Sequence, residues 1–361
     1  MNMKKILFAI VLLVTSTLPL YAQTEDTEIF KGKIQEVNIV DCEEGIDESY
    51  VCYTYTVVLK EDDRIVKTMS SILEASDRPF KIGDSVYLTA LQDLDGEDTW
   101  SITGYDRGST ILICTLAFIT LAILIGGWKS LGSVLSLVGS FAIIYFFVIP
   151  QIINSGNTIV IGYIGILLIL VIGMYLSHGF RKLTTIALIS TLLGVVIVSI
   201  LSWLLVNVLN INGLGDETAY LLSSQLNGDL NIKILFFISI LIGAAGVLDD
   251  VVIGQVASMY EIYNADNRLN ARELHKKTMN VGKEHVSSMI NTLFIVYAGS
   301  SLPLVALLYL SNRDMGTLVS IDVISEEIAR TLAVSMSLLL VVPISTYISS
   351  VILTYRTKNS H

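Results

Sequence analysis

Two hydrophobic rhythms divide the chain. Before about residue 108, apolar side chains alternate with polar ones in short runs. After it, they form long unbroken stretches. The run "YVCYTYTVVL" (residues 50–59) alternates and is rich in β-branched and aromatic residues, which predicts a strand. Weaker versions occur in "FKGKIQEVNIV", "DRIVKTM", "DSVYLTAL" and "WSITGY". Gly- and Asp-rich connections such as "EEGIDES", "KEDD", "KIGD" and "DLDGED" separate them. Five short strands predict a small all-β domain over residues 23–108, an OB-like barrel or a sandwich. The segment "DLDGED" carries its glycine at the wrong place for a calcium loop and reads as a hairpin turn.

From Ser109 onward seven apolar runs recur: 109–128, 131–149, 158–176, 184–208, 232–260, 286–310 and 331–354. Each is near the roughly 20 residues that a spanning helix needs. They predict a seven-helix transmembrane bundle over residues 109–361. Pro303 and Pro343 are positioned to kink the sixth and seventh helices. The segment 264–285 reads as a separate amphipathic helix at the membrane surface, with Glu273 and Lys277 paired four residues apart.

Composition agrees with this division. The chain is 53% hydrophobic and only 16% charged, against about 25% charged in soluble domains. Residues 23–108 hold 20 acidic and 8 basic side chains, whereas residues 109–361 hold 13 of each. An acidic front domain excludes nucleic acid as its partner. The bilayer is the expected partner of the rest, with homo- or hetero-oligomers open.

Residues 1–22 have the shape of a secretory signal: Lys4 and Lys5, an apolar stretch, then Ala22 at the expected cleavage point. An uncleaved first helix is the alternative. With the front domain outside, the inner connections hold ten basic residues, including Arg181, Lys182, Arg268, Arg272, Lys276 and Lys277. The outer connections hold Lys233, Arg313 and Arg330. That asymmetry predicts a cell-membrane protein with an external N-terminal domain and a cytoplasmic C-terminus. Cys42 and Cys52 flank a polar turn, leaving open a hairpin disulfide or two free thiols, and Cys114 reads as a small apolar residue.

The chemistry concentrates in "IGAAGVLDDVVIGQVASMYEI", residues 242–262. Asp249 and Asp250 fall inside an apolar run, where an ionised carboxylate costs at least a few kcal/mol. Helical spacing puts Gly243, Gly246, Asp250, Gly254, Ser258 and Glu261 on one small, polar face. Close packing of that face against a neighbouring helix is expected, with Asp250 turned to the bundle interior. Leu248, Val252 and Met259 occupy the opposite face, suited to lipid or packing. The glycine cluster also suits a helix break capped by the carboxylates. The sixth run opens with Glu284, His285 and Asn291, candidates to line the inner approach to a site. His285 titrates near neutrality when unperturbed. No nucleophile elbow, phosphate loop or zinc-protease motif is present, so neither an enzyme nor a cofactor is expected, and the sequence leaves a metal undecided.

The blocks "GAAGVLDDVVIGQVASMYEI", "ARELHKKTMNVGKEHVSSMINTLFIVYAGSSLPLVALL" and "EEIARTLAVSMSLLLVVPIST" fall in order over residues 243–348. Together they resemble the YibE/F family of bacterial membrane proteins. The resemblance lies in small residues before an aspartate, then Tyr-Glu, Gly-x-x-His, Asn-Thr-Leu, Tyr-x-Gly-x-Ser-Leu-Pro and a late Pro-Ile-Ser. It gives Asp250 more weight than Asp249 and implies no particular activity. The reading that follows is a permease or channel-like transporter with an intramembrane site for a proton, cation or small solute. The alternative is a non-transporting assembly or sensory protein whose β domain binds an external partner.

Overall fold

In a computed structural model of the chain, residues 29–42, 50–73, 79–92, 98–155, 157–226, 228, 230–311 and 314–358 are described. The signal segment and the turns at 43–49 and 93–97 lie outside them. The described residues form two compact units, one reaching to Leu124 and one beginning at Ile125.

The first unit holds β1 (Ile29–Val40), β2 (Tyr50–Leu59), β3 (Ile65–Leu73), β4 (Ser85–Gln92) and β5 (Asp98–Tyr105). They form one antiparallel sheet in the order β3-β2-β1-β4-β5. β1 is central because its 12 residues suffice to pair with two neighbours. The sheet curls into a half-barrel around Ile34, Tyr55, Val57, Leu59, Val86 and Leu88. The curl needs Gly32, where a Cβ would stand 2.4 Å from Val57 Cγ1. Register shifts at Ile34/Glu36 and Tyr87/Leu88 bend the strands further. The edges β3 and β5 meet where Thr68 Oγ1 donates to the Trp100 carbonyl at 2.6 Å. A disulfide joins Cys42 to Cys52. Asp106 closes the domain: it accepts from the Gly108 amide and pairs with Lys31 at 3.7 Å and Lys60 at 3.9 Å. The helix α1 (Gly108–Gly126) follows.

The second unit is helical. Its elements are α2 (Trp128–Ile143), α3 (Ile149–Ser155), α4 (Thr158–His178), α5 (Lys182–Val208), α6 (Glu217–Gln225), α7 (Ile232–Ala265), α8 (Ala271–Ser300), α9 (Leu302–Leu310), α10 (Met315–Val319) and α11 (Asp322–Lys358). A π-helical turn, Ile144–Val148, joins α2 to α3. Pro150 explains it. A proline ring clashes with the carbonyl four residues back, and widening the turn relieves the clash. Among the described residues six helices, α1 included, are long and apolar enough to cross a membrane. The pair α8–α9 makes a seventh span only as a broken one, bent by 63°.

α7 is the axis of this unit. Leu241, Leu248, Val252 and Met259 are each 0% exposed, and Ala244 and Ala245 fill the gaps between them. α4 lies along α7 in parallel. A Cβ at Gly162 would meet Ile238, and one at Gly173 would stand 3.6 Å from Asp249 Oδ2, so the offset is constant. α5 and α11 complete the core, with Gly194 of α5 against Val341 of α11 and Leu248 of α7.

Two expectations change here, and the two prolines differ in setting. α7 runs unbroken through "GAAGVLDD", so the aspartates cap no helix start. Segment 271–285 is not a separate surface helix. It is continuous with the sixth span in α8, opened by an Asn270–Glu273 capping box. α11 continues through Pro343 as one helix, whereas Pro303 follows a real break at Ser301.

Candidate functional site

Consecutive residues leave a helix about 100° apart, so Asp249 and Asp250 face different neighbours. Asp249 is half-buried and turns toward α2 and α4. A Cβ at Gly173 of α4 would stand 3.6 Å from its Oδ2 and 3.4 Å from Ser136 Oγ of α2. Its Oδ1 is enclosed and has no hydrogen-bond partner. Asp250 is exposed on the flank of α7. Besides Asp249, the titratable groups within electrostatic reach of it include His178, the last residue of α4, and His285 on α8.

The polar stripe of α7 is therefore open, contrary to the expectation that it packs inward. Gly243 and Gly246 are exposed, and a Cβ at Gly246 would meet nothing within 4 Å. Gly243 approaches only Tyr297 Oη, and Gly254 only His285 Cε1. The reason is volume. Leu, Val and Ala fill the space at the bundle axis, which leaves the glycines and Asp250 on the side bordered by α4 and α8.

The other anticipated residues divide in two. His285 joins Asp250. Asn291 is exposed further along α8. Glu284 and Ser287 are exposed near His285. Glu261 is exposed too, but eleven residues separate it from Asp250, about 16 Å along a helix. Ser258 is half-buried on the same helix. His178 was missed by the sequence reading. Its one signal was an imidazole at a helix end beside Arg181 and Lys182. Among the described residues no three His, Cys, Asp or Glu side chains gather as a metal-binding set.

Beneath the site a hydrogen-bonded tie fixes α7, α8 and α11. Gln255 is 3% exposed. Its Nε2 donates to the Thr278 carbonyl at 3.1 Å and to Thr346 Oγ1 at 2.9 Å. Gly282 makes room for it, since a Cβ there would stand 2.6 Å from that nitrogen. The tie holds α8, and hence His285, against the carboxylate-bearing helix.

Among the described residues, six long apolar helices, a bent helix pair that makes a seventh if it is one span, and paired carboxylates within one apolar helix mark a polytopic membrane protein. The chain belongs to the YibE/F family: the family model described as YibE/F-like protein matches residues 114–355. No curated protein and no solved structure matches the chain.

Proposed function

We propose that this protein is a permease or channel-like transporter. Asp250 and Asp249 bind a proton, a cation or a small solute, and His178 and His285 flank the carboxylate. One observation carries the reading. Two acidic side chains lie within a span, and the nearer ionisable groups come from two other helices rather than from a sealed ion pair. Charged groups kept inside membranes ordinarily serve a pathway or a relay.

In this reading the cell membrane is bacterial, the half-barrel is an external OB-like cap, and the C-terminus is cytoplasmic. No catalytic role is assigned to any residue. The test is flux of protons and of alkali cations into proteoliposomes containing the full chain. Asp250→Asn should lower the flux about tenfold or more. Flux absent for every ion tried, or unchanged by the substitution, would leave the assembly or sensory reading in its place.

A further inference from the structure

A second polar feature lies inside the bundle, away from the Asp250 flank. α5 and α11 pack antiparallel in the core, and both carry buried hydroxyls. Thr184, Ser190, Thr191 and Ser202 of α5, with Ser335 and Ser349 of α11, are each 4% exposed or less. None of their hydroxyl oxygens has a hydrogen-bond partner. Buried Ser and Thr ordinarily return the proton to a carbonyl one turn back. Ser199, Ser337, Ser345 and Thr346 do so, at 2.7, 2.6, 3.1 and 2.6 Å. Six unsatisfied hydroxyls on two facing helices are costly in a dry core.

Their positions have an order. Gly194 against Val341 sets the register, which brings Ser202 within about half a turn of Ser335 and Thr184 within about half a turn of Ser349. Between those levels the seam narrows to an apolar contact. A Cβ at Gly194 would stand 3.0 Å from Val341 Cγ1 and 3.2 Å from Leu248 Cδ1. Beyond the Ser202–Ser335 level, a cavity of about 330 Å³ opens, lined by Asn210, Ser320, Asp322, Ser325 and Glu326 among others. Glu326 Oε1 accepts from the Gly215 amide at 3.0 Å. Arg330 lies within electrostatic reach of Glu326, besides pairing with Glu327 at 3.7 Å and lying over the ring of Phe236, and the carboxylates of Asp322, Glu326 and Glu327 outnumber it. The mouth therefore offers carboxylate and hydroxyl oxygens and favours cations over anions.

We propose that the α5–α7–α11 seam is a conduit for water and small cations. It is closed in this structure by Leu248 and Val341 against Gly194. Hydroxyls on both sides of the constriction find their partners when water enters. An apolar constriction of this kind gates by wetting and drying. The proposal stands on observations separate from those for Asp250.

The test is thiol accessibility in the reconstituted full chain. Cys114→Ser removes the free thiol, and Thr191→Cys, Ser202→Cys and Ser349→Cys are introduced singly. Ile200→Cys and Leu339→Cys on exposed apolar faces serve as controls, with full reactivity of every cysteine checked in denaturant. The cysteines of the seam should react about tenfold faster than the controls with 2-aminoethyl methanethiosulfonate, and faster than with its anionic sulfonatoethyl counterpart. Adding Leu248→Ala should raise the Thr191→Cys and Ser349→Cys rates further. Reaction no faster than the controls, with Leu248→Ala in place, overturns the conduit. Equal rates for both reagents overturn the cation preference. An unreactive seam combined with Asp250-dependent flux would reject this inference alone.

Discussion

Gln255 is the residue on which the helical packing near the site turns, because one amide nitrogen ties three helices. Gln255→Leu keeps the volume and removes both bonds. Intramembrane hydrogen bonds average about 0.6 kcal/mol and reach about 1.7, so a loss of roughly 1 kcal/mol is expected, read as a lower melting temperature in detergent. Gly282→Ala should cost at least as much, since its methyl displaces the same amide. Asp106 makes a separate prediction about pH. The Gly108 amide, with help from Lys31 and Lys60, holds its carboxyl below the ordinary aspartate value. A depressed acid stabilises the fold above its unfolded value, about 3.9. That contribution is lost as pH falls through the lower folded value. The protection of β1 and β4 amides against hydrogen exchange, relative to their intrinsic rates, should therefore fall below about pH 4, and Asp106→Asn should remove that part of the acid response. An unchanged acid response in Asp106→Asn would refute the assignment. That two carboxylates fall within an apolar helix was legible in sequence. His178 was not, because its nearness to Asp250 depends on α4 and α7 running in parallel.

Among the elements, the strands and the apolar runs were legible because each pattern has its own period. The faces of α7 were not. Small polar residues at helical spacing signal close packing when a neighbour lies beside them, and the sequence does not say where the neighbours are. Here Leu241, Leu248, Val252 and Met259 fill the centre, and the glycines border the open flank. The extent of α8 was missed for a related reason. Charge ends an apolar run, but it does not end a helix, and the Asn270–Glu273 box starts the helix four turns before hydrocarbon-like sequence begins. The connection between α5 and α6 carries a sharper test. Gly213 has φ 82°, and a Cβ there would stand 2.8 Å from the Ile232 carbonyl oxygen. Gly213→Ala should destabilise the fold by about 1–3 kcal/mol, measured by thermal unfolding. A neutral result would show that the loop can adopt another path.

For the whole molecule, the seven-run reading and the asymmetry of basic residues predict termini on opposite sides of the membrane. A fluorescent protein fused after His361 should fold and fluoresce in cells, and alkaline phosphatase at the same point should be inactive. An active phosphatase would reverse the topology or remove the broken span from the count. The central claim is that Asp250, exposed on the side of α7 bordered by α4 and α8, is reached by water and is not set against lipid. Carbodiimide modification of the reconstituted protein, mapped by peptide mass spectrometry, distinguishes the two environments. Asp250 should be modified by a water-soluble carbodiimide, more slowly in the presence of an alkali cation that the proposed site binds. Modification of Asp250 only by lipid-soluble dicyclohexylcarbodiimide, with no effect of any cation, would contradict the site.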